Sequence, residues 1–527
     1  MKLMGRVREW LKGEWELVFL LLSSLILKVI LLSSDHIINL DGVRYISAAQ
    51  QFADGNFLEG LRIDWMPFYS LLIAAFHFLV RDWALAGQLI SLLAMVLALI
   101  PLYLLTRELF DKKGAFWTGV AFTICPTLNG HAVGLLRDPI FIFFVAWSVY
   151  FCLRAFQTEK IVFFTLTALS STFALCCRLE ALLLWGVFLL VLAALAIKNR
   201  LERPLLLKGI SVLVGLPLIF GLLLGGSVLL VAGPDLTSFD VEGEHKWQLK
   251  DVVAGNSISY YKRKVSKGVL RNYQSRYEKL KDLESALPGW SHGGNLLETT
   301  RHYMPLIYLF SAVEALADNL FSFFVLPLLF GFGKRLNWHR GHWLILLLVC
   351  AYFLMGYYFL FTHDWISKRY VLVPALLLMP WLGRGLERIR ARITRFRWPR
   401  FAMVLFLLVF CVVPVYKSLG DFIGQDKDNV VKVAGEWLAE QPDLKDALIA
   451  SNDPRVCFYA NQELNFIRRL PKDFRKVEAQ AIRKQADLLI IETSSKSLGQ
   501  IPEFKKFSLL KEFVGTKNHV RIYHRNT

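Results

Sequence analysis

Apolar runs of about 17–25 residues, the length that crosses a bilayer as a single helix, recur along most of this chain. They fall near 17–33, 84–105, 114–131, 139–156, 161–177, 180–197, 208–231, 305–330, 342–361, 370–383 and 401–418. Several are short or share a tight turn, and together they give about eleven spans. In lipid every backbone N–H and C=O must be satisfied internally, so runs of this kind fold as helices. The composition agrees: 55% of the residues are hydrophobic and 20% charged, fewer charges than the roughly 25% of soluble domains. High hydrophobicity excludes a disordered chain. Seven cysteines in 527 residues exclude a disulfide-stapled secreted module. The fold class is a polytopic α-helical membrane protein.

Charge sets the sidedness. The stretch Met66–Val80 is about 15 residues long and opens beside Pro67, which is short for a crossing. If it stays on one side, the segments 1–16, 106–113, 154–160, 198–208, 332–342 and 384–400 share a face and hold 23 Lys and Arg. The positive-inside rule makes that face cytoplasmic. If it crosses, the Arg-rich stretch 384–400 moves outside. Met66–Val80 therefore reads as a re-entrant or membrane-parallel helix in an outer loop, 34–83. The N-terminus is then cytoplasmic, and the first span an uncleaved anchor, since no A-x-A site follows it. Most of the net charge of +18 is thus a topology signal, and a nucleic-acid partner is not indicated.

On this reading residues 1–418 form the membrane domain, with outer loops 34–83 and 232–303. Residues 419–527 form a small external α/β domain. Its helix patterns lie near 428–440 and 473–485, and its strand-like runs are "ALIAS" and "ADLLIIE". "FSLLKEFV" and "HVRIYHR" flank "GTKN", a hairpin signal. Loop 232–303 is basic, and its "SYYKRKVSKGVLRNYQSRYEKLKDL" suits a helix lying on an anionic membrane or facing an anionic acceptor.

Nucleotide and metal signatures are missing. The chain has no G-x-x-x-x-G-K-[ST], no usable G-x-G-x-x-G, no C-x-x-C and no H-E-x-x-H. Six cysteines lie in or beside spans, as buried thiols do.

Ionisable groups at span ends are costly unless paired or functional, and five outer turns carry them. Asp41 and Tyr45 open "DGVRYISAAQQFADGNF"; Asp64 and Tyr69 lie in "DWMPFYS". Arg137 and Asp138 sit between two spans, and Arg178 and Glu180 form the turn in "CCRLEALLL". His363, Asp364, Lys368 and Arg369 lie in "THDWISKRY". Arginines hold phosphate oxygens bidentately, and a carboxylate among them takes a proton from an attacking hydroxyl. Such a set suits transfer from a lipid phosphate. The bland alternatives are a helix N-cap for Asp41 or for Asp138 before Pro139, an interfacial pair for Arg178 and Glu180, snorkelling for Lys368 and Arg369, and a bundle-end histidine for His363. Asp41, Asp138 and His363 are weak metal candidates.

These stretches resemble the GT-C glycosyltransferases, specifically the glycosyltransferase family 39 type, which includes protein O-mannosyltransferases and bacterial aminoarabinose transferases. The matching runs are "DGVRYISAAQQFADGNFLEG", "DWMPFYSLLIAAF", "GQLISLLAMVLALIPLYLLTRELFDKKGA" and "LLRDPIFIFFVAWSVYFCLRAF". "CRLEALLL" resembles the family's Arg-x-Glu turn, and "KRYVLVPALLLMPWL" its late Arg-Tyr segment. The tail is similar to the external domain of bacterial members. Gly42 stands where many members have a second acid, and Trp65-Met66-Pro67 replaces a His-Pro-Pro run.

The resemblance implies an inverting transfer of sugar from a polyprenyl-phosphate donor at the outer face of the bacterial inner membrane. The acceptor would be a lipid, polysaccharide or protein. Asp41 takes the place of the base and Asp138 that of the second acid. The family's phosphate contacts fall on Arg178, Lys368 and Arg369, and the outer turns add Arg137, Glu180, Tyr69, Asp64 and Tyr45 as candidate substrate contacts. No cofactor is required, and a divalent metal is compatible. Membrane lipids are the other partners. The alternatives are a flippase of lipid-linked sugars, or a ligase or polymerase of lipid-linked glycans.

Overall fold

The computed structural model describes residues 14–33, 37–64, 66–197, 203–232, 239–241, 245–247, 274–286, 292–333, 338–363, 365–395, 400–423, 429–461, 466–467, 470, 474–516 and 518–526. The basic run 248–273, Trp65 and Asp364 lie outside these residues.

Among the described residues six helices are long and apolar enough to cross a membrane: Trp15–Leu32, Trp83–Leu109, Asp138–Thr158, Leu179–Ile197, Leu206–Leu223 and Arg340–His363. Shorter apolar helices cover Phe68–Val80, Ile161–Cys177 and Val404–Gly420. Their outer faces are apolar. Leu22, Ile26, Leu222 and Leu223 are each more than half exposed, an arrangement suited to lipid. The chain is a multi-pass membrane protein.

Two expected spans are interrupted. The run 114–131 divides into Lys112–Ile124 and Pro126–Val133, because Pro126 lacks the N–H that would continue the first helix. The run 305–330 breaks at Phe321 with a bend of 91° between Met304–Leu320 and Ser322–Gly331. Phe321 takes φ +66°, sparsely populated for a non-glycine residue. Helix Leu372–Arg395 runs well past the expected end of its span at 383.

The chain divides into two compact units. The first comprises Met1–Leu25, Leu93–Asn129 and Asp138–Pro414. Its interior is built on Leu372–Arg395, buried at every residue from Leu372 to Gly383. A Cβ on Gly385 would run into the Pro327 carbonyl, and one on Gly331 into the Trp381 carbonyl. Only glycine lets these two helices approach backbone to backbone.

The second unit comprises Ile26–Leu92, Gly130–Arg137 and Val415–Thr527. Its five-stranded sheet contains β3 (Ile449–Ser451), β4 (Phe466–Ile467), β5 (Leu488–Ser494), β6 (Phe507–Val514) and β7 (Asn518–Arg525), in the order β4-β3-β5-β7-β6. (A separate antiparallel pair, β1 at Phe239–Val241 and β2 at His245–Trp247, lies in loop 232–303.) β3 pairs parallel with β4 and β5, and the expected β6–β7 hairpin is antiparallel. One face buries Ile449, Leu488, Ile490, Val520 and Ile522 with helix Val430–Ala439. The other buries Ala450, Leu489, Ile491 and Tyr523 with helix Phe474–Arg483. The tail also touches the first loop, where Tyr459 Oη accepts from the Ile38 amide at 3.0 Å.

Candidate functional site

Within the first unit, two separate turns converge on Asp138. This residue opens helix Asp138–Thr158 and is 1% exposed. Arg178 follows helix Ile161–Cys177 in extended conformation, so its side chain leaves the helix axis. Its Nη1 donates to Asp138 Oδ1 at 2.5 Å, and its Nη2 and Nε donate to Glu180 Oε1 at 2.6 and 3.2 Å. Arg369 Nε lies 3.6 Å from Asp138 Oδ2. The Arg178 guanidinium also faces the rings of Phe141 and Tyr370. Burial opposes the charge on Arg178, but Asp138 and Glu180 outweigh it and hold its pKa above the usual guanidinium value. The Asp138 carboxylate is thus held between two guanidiniums.

Lys368 comes next on the same edge. Its Nζ is 3.9 Å from Asp318 Oδ2, and its carbonyl accepts from Asn319 Nδ2 at 3.1 Å. Both partners sit just before the Phe321 break, so the bend positions them. The Lys368 side chain is 59% exposed and that of Arg369 is 30% exposed. Tyr352, fully buried, carries a hydroxyl with no hydrogen-bond partner within electrostatic range of Glu180 and Arg178. It sits in the apolar run of a span, where nothing in the sequence marked it.

Within the second unit, Asp41 lies in the first turn of helix Leu40–Ala53, and Asn39 is the N-cap. The N-cap alternative for Asp41 is thus corrected: the cap position falls on Asn39, two residues earlier. Arg44 and Tyr45 follow one turn later, on the same face. The guanidiniums of Arg44 and Arg137 stand 5.4 and 5.8 Å from the centre of the Tyr45 ring. Arg44 Nε and Arg137 Nη1 are buried without a hydrogen-bond partner. Asp64, fully buried, accepts from Ser70 Oγ at 2.9 Å. Burial pushes its carboxyl above the usual carboxylate range, against the opposing pull of Arg44 and Arg137.

Tyr45 and Tyr69 pack edge to face at 5.1 Å, and both are buried. The Tyr69 hydroxyl bonds the Gly87 carbonyl at 2.9 Å and Ser91 Oγ at 2.8 Å, and Ser91 in turn donates to Leu136 O. These tyrosines brace the cluster. A Cβ on Gly42 would stand 3.2 Å from Leu135 Cδ2, so the second acid of the family pattern would have to displace Leu135. Arg44 is the residue sequence reading passed over; its i+3 spacing from Asp41 was the available signal.

Among the described residues no three His, Cys, Asp or Glu side chains come together as metal ligands. Asp138 is taken up by guanidiniums. His363 is exposed, 2.6 Å from Thr362 Oγ1 and stacked on Phe359. The metal role considered for Asp41, Asp138 and His363 has no donor set in these residues.

Residues 64–223 match the model of the dolichyl-phosphate-mannose-protein mannosyltransferase family. No curated protein matches the chain. Among solved structures, ArnT from Cupriavidus metallidurans in the apo state is 13% identical with a TM-score of 0.52, over 96% of this chain and 97% of that one. The oligosaccharyltransferase of Archaeoglobus fulgidus in its apo form gives 12% and 0.54, over 98% and 75%. The archaeal oligosaccharyltransferase AglB from Archaeoglobus fulgidus, in complex with an inhibitory peptide and a dolichol-phosphate, gives 12% and 0.51, over 92% and 70%. The chain shares the fold of these solved structures. The family match takes in Asp64, Tyr69, Arg137, Asp138, Arg178 and Glu180, and stops short of Asp41 on one side and Arg369 on the other.

Proposed function

We propose that the protein transfers a sugar from a polyprenyl-phosphate carrier to a hydroxyl-bearing acceptor at the outer face of the membrane, with inversion at the sugar carbon. The observation that carries this reading is the Arg178–Asp138–Arg369 network, with Lys368 beside it. Asp138 fixes the guanidiniums, and Arg369, part-exposed, and Lys368, exposed, stand where a phosphate can reach them. A phosphate so held departs as a stabilised dianion, and its oxygen needs no general acid. What remains is a base for the acceptor hydroxyl. Asp41, part-exposed in the first turn of its helix, takes that role. The dolichol-phosphate in the archaeal neighbour's complex and the donor in the family's description support a polyprenyl-phosphate carrier.

The attacking oxygen bonds the anomeric carbon as the carbon–phosphate-oxygen bond breaks; the proton passes to Asp41 and the electron pair to the carrier phosphate. Asp41→Asn should lower transfer about 10²–10⁴-fold, the range for losing a general base, with melting temperature unchanged. Wild-type transfer in that variant would remove Asp41 from the chemistry. Comparing the glycolipids of cells with and without the protein would report donor, acceptor and linkage together.

A further inference from the structure

The helix that begins beside Lys368 and Arg369 ends in a second collection of arginines. Leu372–Arg395 is 24 residues long, about 36 Å at 1.5 Å per residue, which is about the thickness of a bilayer's apolar core. At its far end a groove of about 760 Å³ is lined by Leu329, Phe330, Gly333, Arg388, Arg392 and Arg395. The three arginines repeat at i, i+4 and i+7, so they share one helix face.

Arg388 Nη1 donates to the carbonyls of Phe330 at 2.8 Å and Gly331 at 3.3 Å, the end of helix Val325–Gly331. Arg392 stands 5.3 Å from the centre of the Phe330 ring. Among the described residues none of the three is paired with a carboxylate. Glu387, one residue from Arg388, is engaged by Arg390 at 2.6 Å and by Trp117 Nε1 at 3.0 Å. Burial and the neighbouring Arg392 hold Arg388 below the usual guanidinium range. Burial and Arg388 likewise bring Arg384 down to about 10. Facing this cationic row is an apolar wall in which Leu329 is 63% exposed.

We infer that this groove binds an anionic phospholipid, with its headgroup phosphate on Arg388, Arg392 and Arg395 and its acyl chains along Leu329 and Phe330. Charge complementarity names the headgroup, since basic pockets between membrane helices hold anionic lipids. The apolar wall names a lipid in preference to a free anion. The site is separate from the proposed donor phosphate contacts, one helix length away.

The full-length protein in detergent, incubated with equal phosphatidylglycerol and phosphatidylcholine of matched chains and read by native mass spectrometry, tests this. Phosphatidylglycerol should be retained at least about tenfold over phosphatidylcholine. Each arginine near an anionic headgroup is worth about a fivefold change, so R392Q/R395Q should cut that retention by about 10- to 30-fold. Both side chains are exposed, and the melting temperature should stay put. Equal retention of the two lipids, or full retention in the double variant, would overturn the assignment. Displacement by millimolar inorganic phosphate would mark a site for soluble anions and overturn the lipid claim as well. If the double variant misfolds, the wild type decides alone: its preference must weaken as salt rises, and a salt-independent preference would count against the arginines.

Discussion

Asp138 and Asp41 each lie in the first turn of a helix, yet their surroundings differ. Asp138 is buried between two guanidiniums that come from distant turns. Asp41 is part-exposed and belongs to a face whose next turn carries Arg44. Position on the helix therefore does not assign the role; the partners do. An acid enclosed by arginines fixes their geometry. An acid with solvent access is placed to receive a proton. In the proposed division of labour the Asp138 network holds the carrier phosphate and Asp41 activates the acceptor.

The largest expected effect breaks the first of these clusters. Arg178→Ala leaves the buried Asp138 and the half-buried Glu180 without their main cation. Loss of one partner of a buried pair costs about 3–5 kcal/mol, so the variant should express poorly and melt much earlier in detergent. An unchanged melting curve would mean that the network does not hold the fold. Arg369→Gln acts on the part-exposed side of the same network. It should raise the donor KM by about 10- to 100-fold, the worth of one charge-assisted hydrogen bond, and leave kcat within a few fold. An unchanged KM would separate Arg369 from the phosphate.

The second cluster yields two smaller effects. Asp64 titrates higher in the fold than in the unfolded chain, where an ordinary Asp titrates near pH 4. The stability linked to its proton is full below that value. It falls as pH rises through the higher folded value, because the unfolded chain releases its proton first. Asp64→Asn should flatten this decline in melting temperature from about pH 4 upward, whatever constant offset comes from changing the partner of Arg44. An identical slope in both proteins would show that the Asp64 carboxyl is not penalised by burial. The smallest effect is Gly42→Ala, where Leu135 must yield by a few tenths of an ångström. A destabilisation of about 1 kcal/mol is expected for such mild overpacking, read by thermal melting.

The sequence revealed architecture better than it revealed contacts. Long apolar runs, the hairpin around "GTKN" and the strand "ADLLIIE" were legible because hydrophobic period and turn chemistry are local properties. Pro126 was a local signal of its break, which the reading of 114–131 as one span passed over. The break at Phe321 had no Gly or Pro to signal it and follows from packing. β4, with two residues, is too short to leave a pattern. At the candidate site the charged turns identified the right residues for an arginine–carboxylate network. Which arginine meets which acid depended on the extended backbone at Arg178 and could not be read from spacing. Tyr69 was expected among the substrate contacts, but its hydroxyl is committed to Gly87 and Ser91. Arg388, Arg392 and Arg395 were legible as topology charges; that three of them line one groove required the fold.

The central claim is that holding the phosphate and activating the acceptor belong to different residues. Donor binding and single-turnover transfer, measured side by side in Asp41→Asn and Arg369→Gln, test it most directly. The account predicts that Asp41→Asn binds polyprenyl-phosphate donor like the wild type and transfers about 10²–10⁴-fold more slowly. It predicts that Arg369→Gln binds the donor weakly yet transfers at near wild-type rate when saturated. Equal loss of binding and turnover in both variants, or undiminished transfer in Asp41→Asn, would contradict it.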